Sequence, residues 1–403
     1  MSVAAMPEDG AIGVHLVATE ESADALGAAL MHALRVRSNG KVRFAGVGGR
    51  QMAAEGLQTL FSTEDLAIIG LAAIPRRLPT FLRRIRETAR AVIAARPDVL
   101  IIIDSPDFTH RIARAVRAVV PSIPIVDYVS PAVWAWRPRR ASAMRAYIDH
   151  VLALLPFEPD VHRRLGGPPC TYVGHPLIER HAELRPSAAD MARREASPPV
   201  VLILPGSRAS EVRRSIEPFA KAIALVAARV GRIDVVLPTL PHLVERLREA
   251  TADWPVAPRI VVDAEEKKAA FRVARAALAA SGTVTLELAL AGVPTVAAYK
   301  VPAWEAVIAR RVIHVPSVIL ANLVLDENVV PEFLQEDCTP ERLAAALAPL
   351  LSDGPERRRQ IEAFARLDGI MDIGKTAPSE RAADIVLGMV RTFSANGRAA
   401  AAS

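Results

Sequence analysis

Short apolar runs, rich in β-branched residues, recur along the chain, and the stretches between them repeat their apolar residues at helical spacing. Gly13–Ala18, Arg43–Val47, Val99–Asp104, Pro124–Tyr128 and His150–Leu154 read as strands. A second series follows at Val200–Leu204, Asp234–Leu237, Arg259–Val262, Ala276–Ala280 and Thr295–Tyr299. Ser22–Arg37, Thr109–Val119, Ser210–Ala228 and His242–Thr251 carry the spacing of amphipathic helices. Alternating strands and helices imply parallel sheets with right-handed crossovers and helices on both faces. Two series therefore predict an α/β chain of two doubly wound domains. The boundary is expected near Glu183–Pro199, because HAELRPSAADMARREASPP is polar, proline-rich and without apolar periodicity. This assigns 1–185 to a first domain and 195–375 to a second. The tail 394–403 is expected to fray.

Composition narrows the class. At 403 residues the chain is too long for one ordinary core. Half of it is hydrophobic and 23% is charged, which excludes disorder. The net charge of +6 suits phosphates, nucleotides or acidic lipid head groups. Nucleic acid is the rival partner, but no basic motif interleaved with aromatics supports it. Cys170 and Cys338 are isolated thiols, as in a reducing cytoplasm. The N-terminal stretch carries Glu8 and Asp9 before its first apolar run and does not read as a signal peptide. The longest apolar stretch, Ala276–Tyr299, is broken by Ser281, Gly282, Thr283, Thr285, Glu287 and Gly292, so no spanning helix is expected.

Five motifs can carry chemistry. LPGSRASE, Leu204–Glu211, follows the strand VVLIL and opens a helix. Gly206 and Ser207 there can turn amides toward an anion, and Arg208 adds a forked cation. The same turn can also be a strand-to-helix connection capped by Ser207 or Ser210. No Gly-Lys-Ser/Thr follows, so it is not a P-loop. ASGTVTLELALAGVP, Ala280–Pro294, repeats the geometry. Ser281, Gly282 and Thr283 allow a diphosphate close approach, and Glu287 can accept both hydroxyls of a ribose. Thr283 as a cap and Glu287 as a plain helix carboxylate is the other reading. Two such loops in one half of the chain can bridge one pyrophosphate.

PDVLIIIDSPDF, Pro97–Phe108, ends a buried strand at Asp104 and places Asp107 just beyond. Asp107 can take a proton from an attacking hydroxyl, or it can cap a helix starting at Phe108, with Asp104 receiving amides. VSPAVWAWRPRRA, Val129–Ala141, sets Trp134 and Trp136 beside Arg137, Arg139 and Arg140, which suits an amphiphile with a phosphate; Trp134 fits core packing equally. In Leu66–Glu87, Ile68, Ile69, Leu71, Ile74, Leu78, Phe81, Leu82 and Ile85 interleave with Arg76, Arg77, Arg83, Arg84 and Arg86. That segment reads as a basic membrane-interface element or an ordinary surface helix. His175 reads as structural. No clustered Cys/His set and no DxD appears, so no metal is expected, and no cofactor.

Together the motifs resemble the lipid-A-disaccharide synthase family, through GVGGRQMAAEG, PDVLIIIDSPDF, YVSPAVWAWRP, LALLPFEP, YVGHPL, ILPGSRASEV, AASGTVTLELAL, LQEDCTPERLAAAL and SERAA. The matches fall in order over nearly the whole chain. The resemblance implies a GT-B fold of two Rossmann-like domains facing across a cleft, with a C-terminal helix, about 376–392, packing back on the first. It implies transfer of 2,3-diacylglucosamine from UDP-2,3-diacylglucosamine to O6 of 2,3-diacylglucosamine 1-phosphate, giving the β-1,6 disaccharide and UDP. It makes Asp107 the base of an inverting displacement. It makes Gly206, Ser207, Arg208, Ser281, Gly282, Thr283, Glu287 and Asn322 the donor site. Glu20, Ser22, Asp24, Trp136 and Arg137 would meet the acceptor. Ile68, Ile69, Leu71, Arg76, Arg77, Phe81, Arg83 and Arg84 would touch the cytoplasmic face of an inner membrane carrying anionic lipid. It leaves an oligomer open.

Two departures stand out. The family's GEASGD loop is TEESAD here, Thr19–Asp24, and its NLLAGRE is NLVLDEN, Asn322–Asn328. Lost glycines and altered carboxylates motivate one alternative, a weakened paralogue that binds UDP-sugar or lipid. Another GT-B enzyme of UDP-sugars is a further one, against which the amphipathic segment argues, because a soluble sugar needs no bilayer contact.

Overall fold

The computed structural model describes residues 10–63, 74–313, 315–372 and 375–401. The chain forms two compact units, Met1–Pro176 with Lys375–Ser403, and Leu177–Gly374.

The first unit holds seven parallel strands: β1 Ile12–Ala18, β2 Val42–Val47, β3 Gln58–Thr59, β4 Val99–Ile103, β5 Ile125–Tyr128, β6 His150–Ala153 and β7 Cys170–Tyr172. Their spatial order is β3-β2-β1-β4-β5-β6-β7, the doubly wound order of a Rossmann sheet. The second unit repeats it with β8 Val200–Leu204, β9 Asp234–Pro238, β10 Arg259–Val261, β11 Ala276–Ala280, β12 Thr295–Tyr299 and β13 Glu332–Leu334, in the order β10-β9-β8-β11-β12-β13.

Both sheets are buried on two faces, so strand residues alternate between two cores. Ile101 and Ile103 point into one core of the first unit, and Leu100 and Ile102 into the other. Val201 and Ile203 divide from Val200, Leu202 and Leu204 in the same way. Gly46 is required at the end of β2: its φ is +137°, and a Cβ there would sit 1.9 Å from the Leu16 carbonyl oxygen on β1. Three strands were not expected, β3, β7 and β13. All are short edge strands, none of their residues is buried, and they carry too few apolar positions for a pattern.

The stretch Glu183–Pro199 was expected to be a linker. It instead holds the helix Ala188–Glu195, opened by a reciprocal capping box between Ser187 and Asp190. Arg194 anchors this helix in the second unit. The guanidinium is buried and donates to the carbonyls of Phe271, Arg272, Ala291 and Gly292, where two helices end. A helix held by an arginine shows no apolar periodicity, which is why the sequence concealed it.

The last helix, Pro378–Ala401, belongs to the first unit and runs past Ser394, where fraying was expected. Ala382, Ala383, Val386 and Val390 join the core that Leu30, Met31 and Leu34 of the helix Glu21–Arg37 enter. Arg37 reinforces this by pairing with Glu380 at 3.2 Å and Asp384 at 3.4 Å. Among the described residues, no helix is long and apolar enough to cross a membrane.

Candidate active site

In each sheet the order of strands reverses once, between β1 and β4 in the first unit and between β8 and β11 in the second. Crossovers leave in opposite directions at such a point, opening a crevice at the carboxyl ends of the strands. Both crevices are furnished.

In the second unit a cavity of about 440 Å³ lies over the ends of β8, β9, β11 and β12. Gly206, Ser207, Arg208, Ser281, Gly282, Thr283 and Glu287 all line it, so two loops far apart in sequence meet at one site. The turn after β8 needs Gly206, which adopts φ +121°; a Cβ there would lie 2.6 Å from the Glu211 Cβ. Ser207 and Arg208 present backbone amides at the start of the helix Ala209–Val230. Those amides are already occupied. Glu211 accepts from the Ser207 amide at 3.0 Å, the Arg208 amide at 3.2 Å and the Arg208 guanidinium at 2.9 Å. A carboxylate of the protein thus holds the place where an anionic ligand is expected. Neither Ser207 nor Ser210 caps this helix with its side chain. Glu287 pairs with Lys267 at 3.3 Å, also within the cavity.

Asn322 does not line this cavity. It is buried, and its amide donates to Ser317 and the Val330 carbonyl while its oxygen accepts from the Val329 and Val330 amides. Those four bonds use the full capacity of the side chain, which fastens a loop. One of the neighbouring departures, Glu327, is engaged within the fold. Glu327 pairs with Arg359 at 3.1 Å and Arg366 at 2.6 Å, outside this cavity.

Thr239, Lys267 and Tyr299 also line the cavity and escaped the motif search. Thr239 stands just beyond β9, and its buried hydroxyl has no hydrogen-bond partner among the described residues. An unpaired buried hydroxyl costs about 1–3 kcal/mol, and at the wall of a cavity it is available to a ligand. Reading every strand's carboxyl end would have found it.

In the first unit the loops after β1 and β4 are tied together. Thr19 Oγ1 donates to Ser105 Oγ at 2.9 Å, and Ser105 Oγ donates to Glu20 at 3.2 Å. Glu20 and Ser22 are exposed there. Asp24 is not: it is buried and accepts from the amides of Gly49, Gln51 and Met52 at 2.7, 2.9 and 3.1 Å. It fastens the GVGGR turn.

A cavity of about 280 Å³ lies beside β4 and β5, lined by Asp104, Ser130, Trp136, Arg137 and Arg140 among others. Around it the backbone is strained. Asp104, Ser105, Val129 and Arg137 have φ of 55°, 45°, 88° and 55°. Each left-handed non-glycine residue costs about 1–3 kcal/mol, and such strain gathers at functional sites. Asp104 receives the Ser105 amide at 2.6 Å. Burial pushes its carboxyl above the usual range, against that amide and with help from Glu20 and Asp127.

Asp107 does not cap its helix. The helix begins at Pro106, two residues earlier than a cap at Asp107 allows, and Asp107 is 72% exposed. It faces two cations, Arg140 at 3.0 Å and Arg137 at 3.8 Å. Arg137 and Arg140 also lie over the Trp136 ring, at 4.3 and 5.8 Å from its centre. Trp134 takes the packing role: it meets Phe157 edge-on at 5.5 Å and donates to Glu158 at 3.3 Å. Glu158 is buried beneath this shelf, and burial pushes its carboxyl up to about 7, against the Leu155 amide and the Trp134 indole.

Of the interfacial segment, Ile68, Ile69 and Leu71 lie outside the described residues, as do the side chains of Arg76 and Arg77 in the helix Ile74–Ala95. Phe81 and Arg84 turn toward the protein rather than away from it. Phe81 packs edge-on against Phe108 at 5.2 Å, and Arg84 stacks on Phe61 at 4.4 Å. Arg83 is exposed, and so is Leu78. His175 is buried. Among the described residues no group of three His, Cys, Asp or Glu is placed to hold a metal.

The comparisons with known proteins agree with these two units. Residues 14–384 match the model of a family described as lipid-A-disaccharide synthetase. A protein of Nitrobacter hamburgensis named lipid-A-disaccharide synthase is 64% identical over 374 residues, 93% of this chain and 94% of that one. The fold is that of the GT-B glycosyltransferases. MurG of Acinetobacter baumannii superposes with TM-score 0.56 at 15% identity, over 94% of this chain and 99% of that one. The UDP-GlcNAc 2-epimerase of Neisseria meningitidis, solved with UDP-GlcNAc bound, gives 0.58 at 12%, over 94% and 99%.

Proposed function

The chain belongs to the lipid-A-disaccharide synthetase family and is a disaccharide-forming glycosyltransferase; we propose that it moves 2,3-diacylglucosamine from UDP to O6 of 2,3-diacylglucosamine 1-phosphate with inversion at the anomeric carbon. In this reading the second-unit cavity holds the UDP donor. The amides of Ser207 and Arg208 and the Arg208 guanidinium meet the diphosphate, Ser281–Thr283 approach it closely, and Glu287 takes the ribose hydroxyls. The uridine end of the nucleotide would extend toward Thr239.

Asp107 is the general base. It takes the proton from the acceptor O6 as that oxygen forms its bond to the anomeric carbon. The bond from that carbon to the diphosphate breaks, and UDP leaves with the electron pair. Charge then grows on the diphosphate, where preorganised amides and a guanidinium stabilise it most. Arg137, Arg140 and Trp136 suit the acceptor's phosphate and apolar body. The single observation that carries the reading is the convergence of Gly206–Arg208 and Ser281–Glu287 on one cavity at the reversal of strand order. The enzyme would work on the cytoplasmic face of an inner membrane, where both acylated sugars reside.

The test is a product assay. The purified protein with UDP-2,3-diacylglucosamine and 2,3-diacylglucosamine 1-phosphate in mixed micelles should yield disaccharide and UDP in equal amounts by mass spectrometry. UDP without disaccharide, or neither product, would overturn the assignment.

A further inference from the structure

The helix Ala303–Val312 is built inside out. At about 100° per residue, Ala306 falls on its buried side, while Trp304, Val307, Ile308 and Val312 fall together on the opposite one. Trp304 and Ile308 are each 53% exposed, and Ile313, just past the end of the helix, is exposed as well. A surface helix ordinarily turns its large apolar residues inward and leaves the polar ones in water. Here a small alanine is inside and the large residues face solvent. Contiguous apolar surface of this kind, edged by charge, marks a docking site.

The charge indicates what docks. Arg311 lies within the strip at the angle between Val307 and Ile308, is exposed, and has no ion-pair partner among the described residues. Arg310 flanks the strip and pairs with Glu336. The helix has one carboxylate, Glu305, which lies at the strip's margin and is half-buried. A tryptophan with a polar ring edge, aliphatic neighbours and a long-stemmed cation able to reach upward match the boundary between acyl chains and anionic head groups. The helix follows β12, whose last residue, Tyr299, lines the donor cavity.

We propose that the Trp304–Val312 face is a second bilayer-docking surface, belonging to the nucleotide-binding unit and separate from the arginine-rich segment of the first. It seats that unit against anionic lipid. The assignment stands apart from the donor and acceptor roles, because vesicle binding is read without turnover.

The experiment uses the full chain and sedimentation with vesicles of phosphatidylcholine, with and without phosphatidylglycerol. Trp304→Ser combined with Ile308→Ser should weaken binding to the anionic vesicles roughly tenfold, with UDP binding and circular dichroism unchanged, since both side chains are exposed. Arg311→Glu should weaken binding to the anionic vesicles and leave the weaker binding to neutral ones unchanged. Wild-type tryptophan emission should shift to the blue on vesicle addition, and Trp304→Phe should remove most of that shift. Unchanged vesicle affinity in the double variant overturns the proposal. The same result with a dimer turned monomer assigns the face to a second copy instead, which also overturns it. Loss of vesicle binding in the variants, beside a wild type that makes no disaccharide, would leave this surface standing and sink the proposed reaction.

Discussion

The two units share one topology and place a site at the same point of it, yet the sites are built differently. In the second unit the predicted residues other than Asn322 line one cavity, and each of them is exposed or half-buried. In the first unit the predicted residues divide. Asp24 is consumed by three amides, while Asp107 stands on the surface between two arginines, in the first turn of a helix entered through the strained Asp104 and Ser105. Binding a diphosphate needs only donors at a helix start, which a short motif encodes. Setting a base against one hydroxyl needs a shelf, and here the shelf is made of residues scattered from Asp104 to Glu158.

The largest test of that division compares two variants. Asp107→Ala should lower kcat roughly 10³-fold, the scale of a lost general base, and leave the UDP dissociation constant within about twofold. Its melting temperature should barely move, because an exposed ion pair contributes about 0–1 kcal/mol. Arg208→Ala should lower kcat/KM roughly 10²-fold and weaken UDP binding as well. Calorimetric titration with UDP beside initial rates separates the two. Equal losses of UDP affinity in both variants would erase the division of labour.

How much of this was legible follows the same line. The central strands, both glycine turns and the carboxylate motif could be read, because each is local: a buried apolar run, or a turn that only small residues make. Asn322 and Asp24 were placed at the ligand sites by the family resemblance, and a matching motif shows a polar residue but not what already satisfies it. Both spend their bonds on backbone a few or a few tens of residues away. Arg194 is the same lesson in reverse, a charged residue that serves as a core anchor. Phe81 and Arg84 pack on the protein itself for a related reason. A basic amphipathic helix has two faces, and the pattern alone does not say which apolar residues it keeps for the core.

The shelf under the first site gives a second, smaller test. Glu158 ionises near 4.5 when unfolded and near 7 when folded. Between those values the unfolded chain has released a proton that the folded one keeps, so rising pH favours unfolding, by up to about 3 kcal/mol across the window. The loss is complete once pH passes about 7. His15 and His175, each lowered to about 4 by burial, act in the opposite sense between pH 4 and 6.5, so the wild-type slope alone is not diagnostic. The difference between wild type and Glu158→Gln is. Urea unfolding at pH 5 and pH 8 should show the wild type losing stability relative to the variant at the higher pH. Parallel curves would mean that Glu158 is ionised in the folded shelf.

The smallest effect probes the second site at its one obstruction. Glu211 takes both loop amides and the Arg208 guanidinium, so a diphosphate must displace it or share its donors. Displacement is feasible because the arriving ligand carries more charge than one carboxylate and offers more acceptor oxygens to the same amides. Its cost still subtracts from donor affinity. Glu211→Gln keeps the shape of the side chain and removes its charge, weakening its hold on the amides to that of a neutral acceptor. The difference between charged and neutral hydrogen bonds, about 0.5–1 kcal/mol, should tighten UDP binding roughly threefold and lower the melting temperature slightly. An unchanged or weakened UDP affinity would mean that Glu211 shapes the turn for the donor instead of competing with it. The second site would then depend on a buried-side support much as the first does, and the contrast between them would narrow to the position of the base.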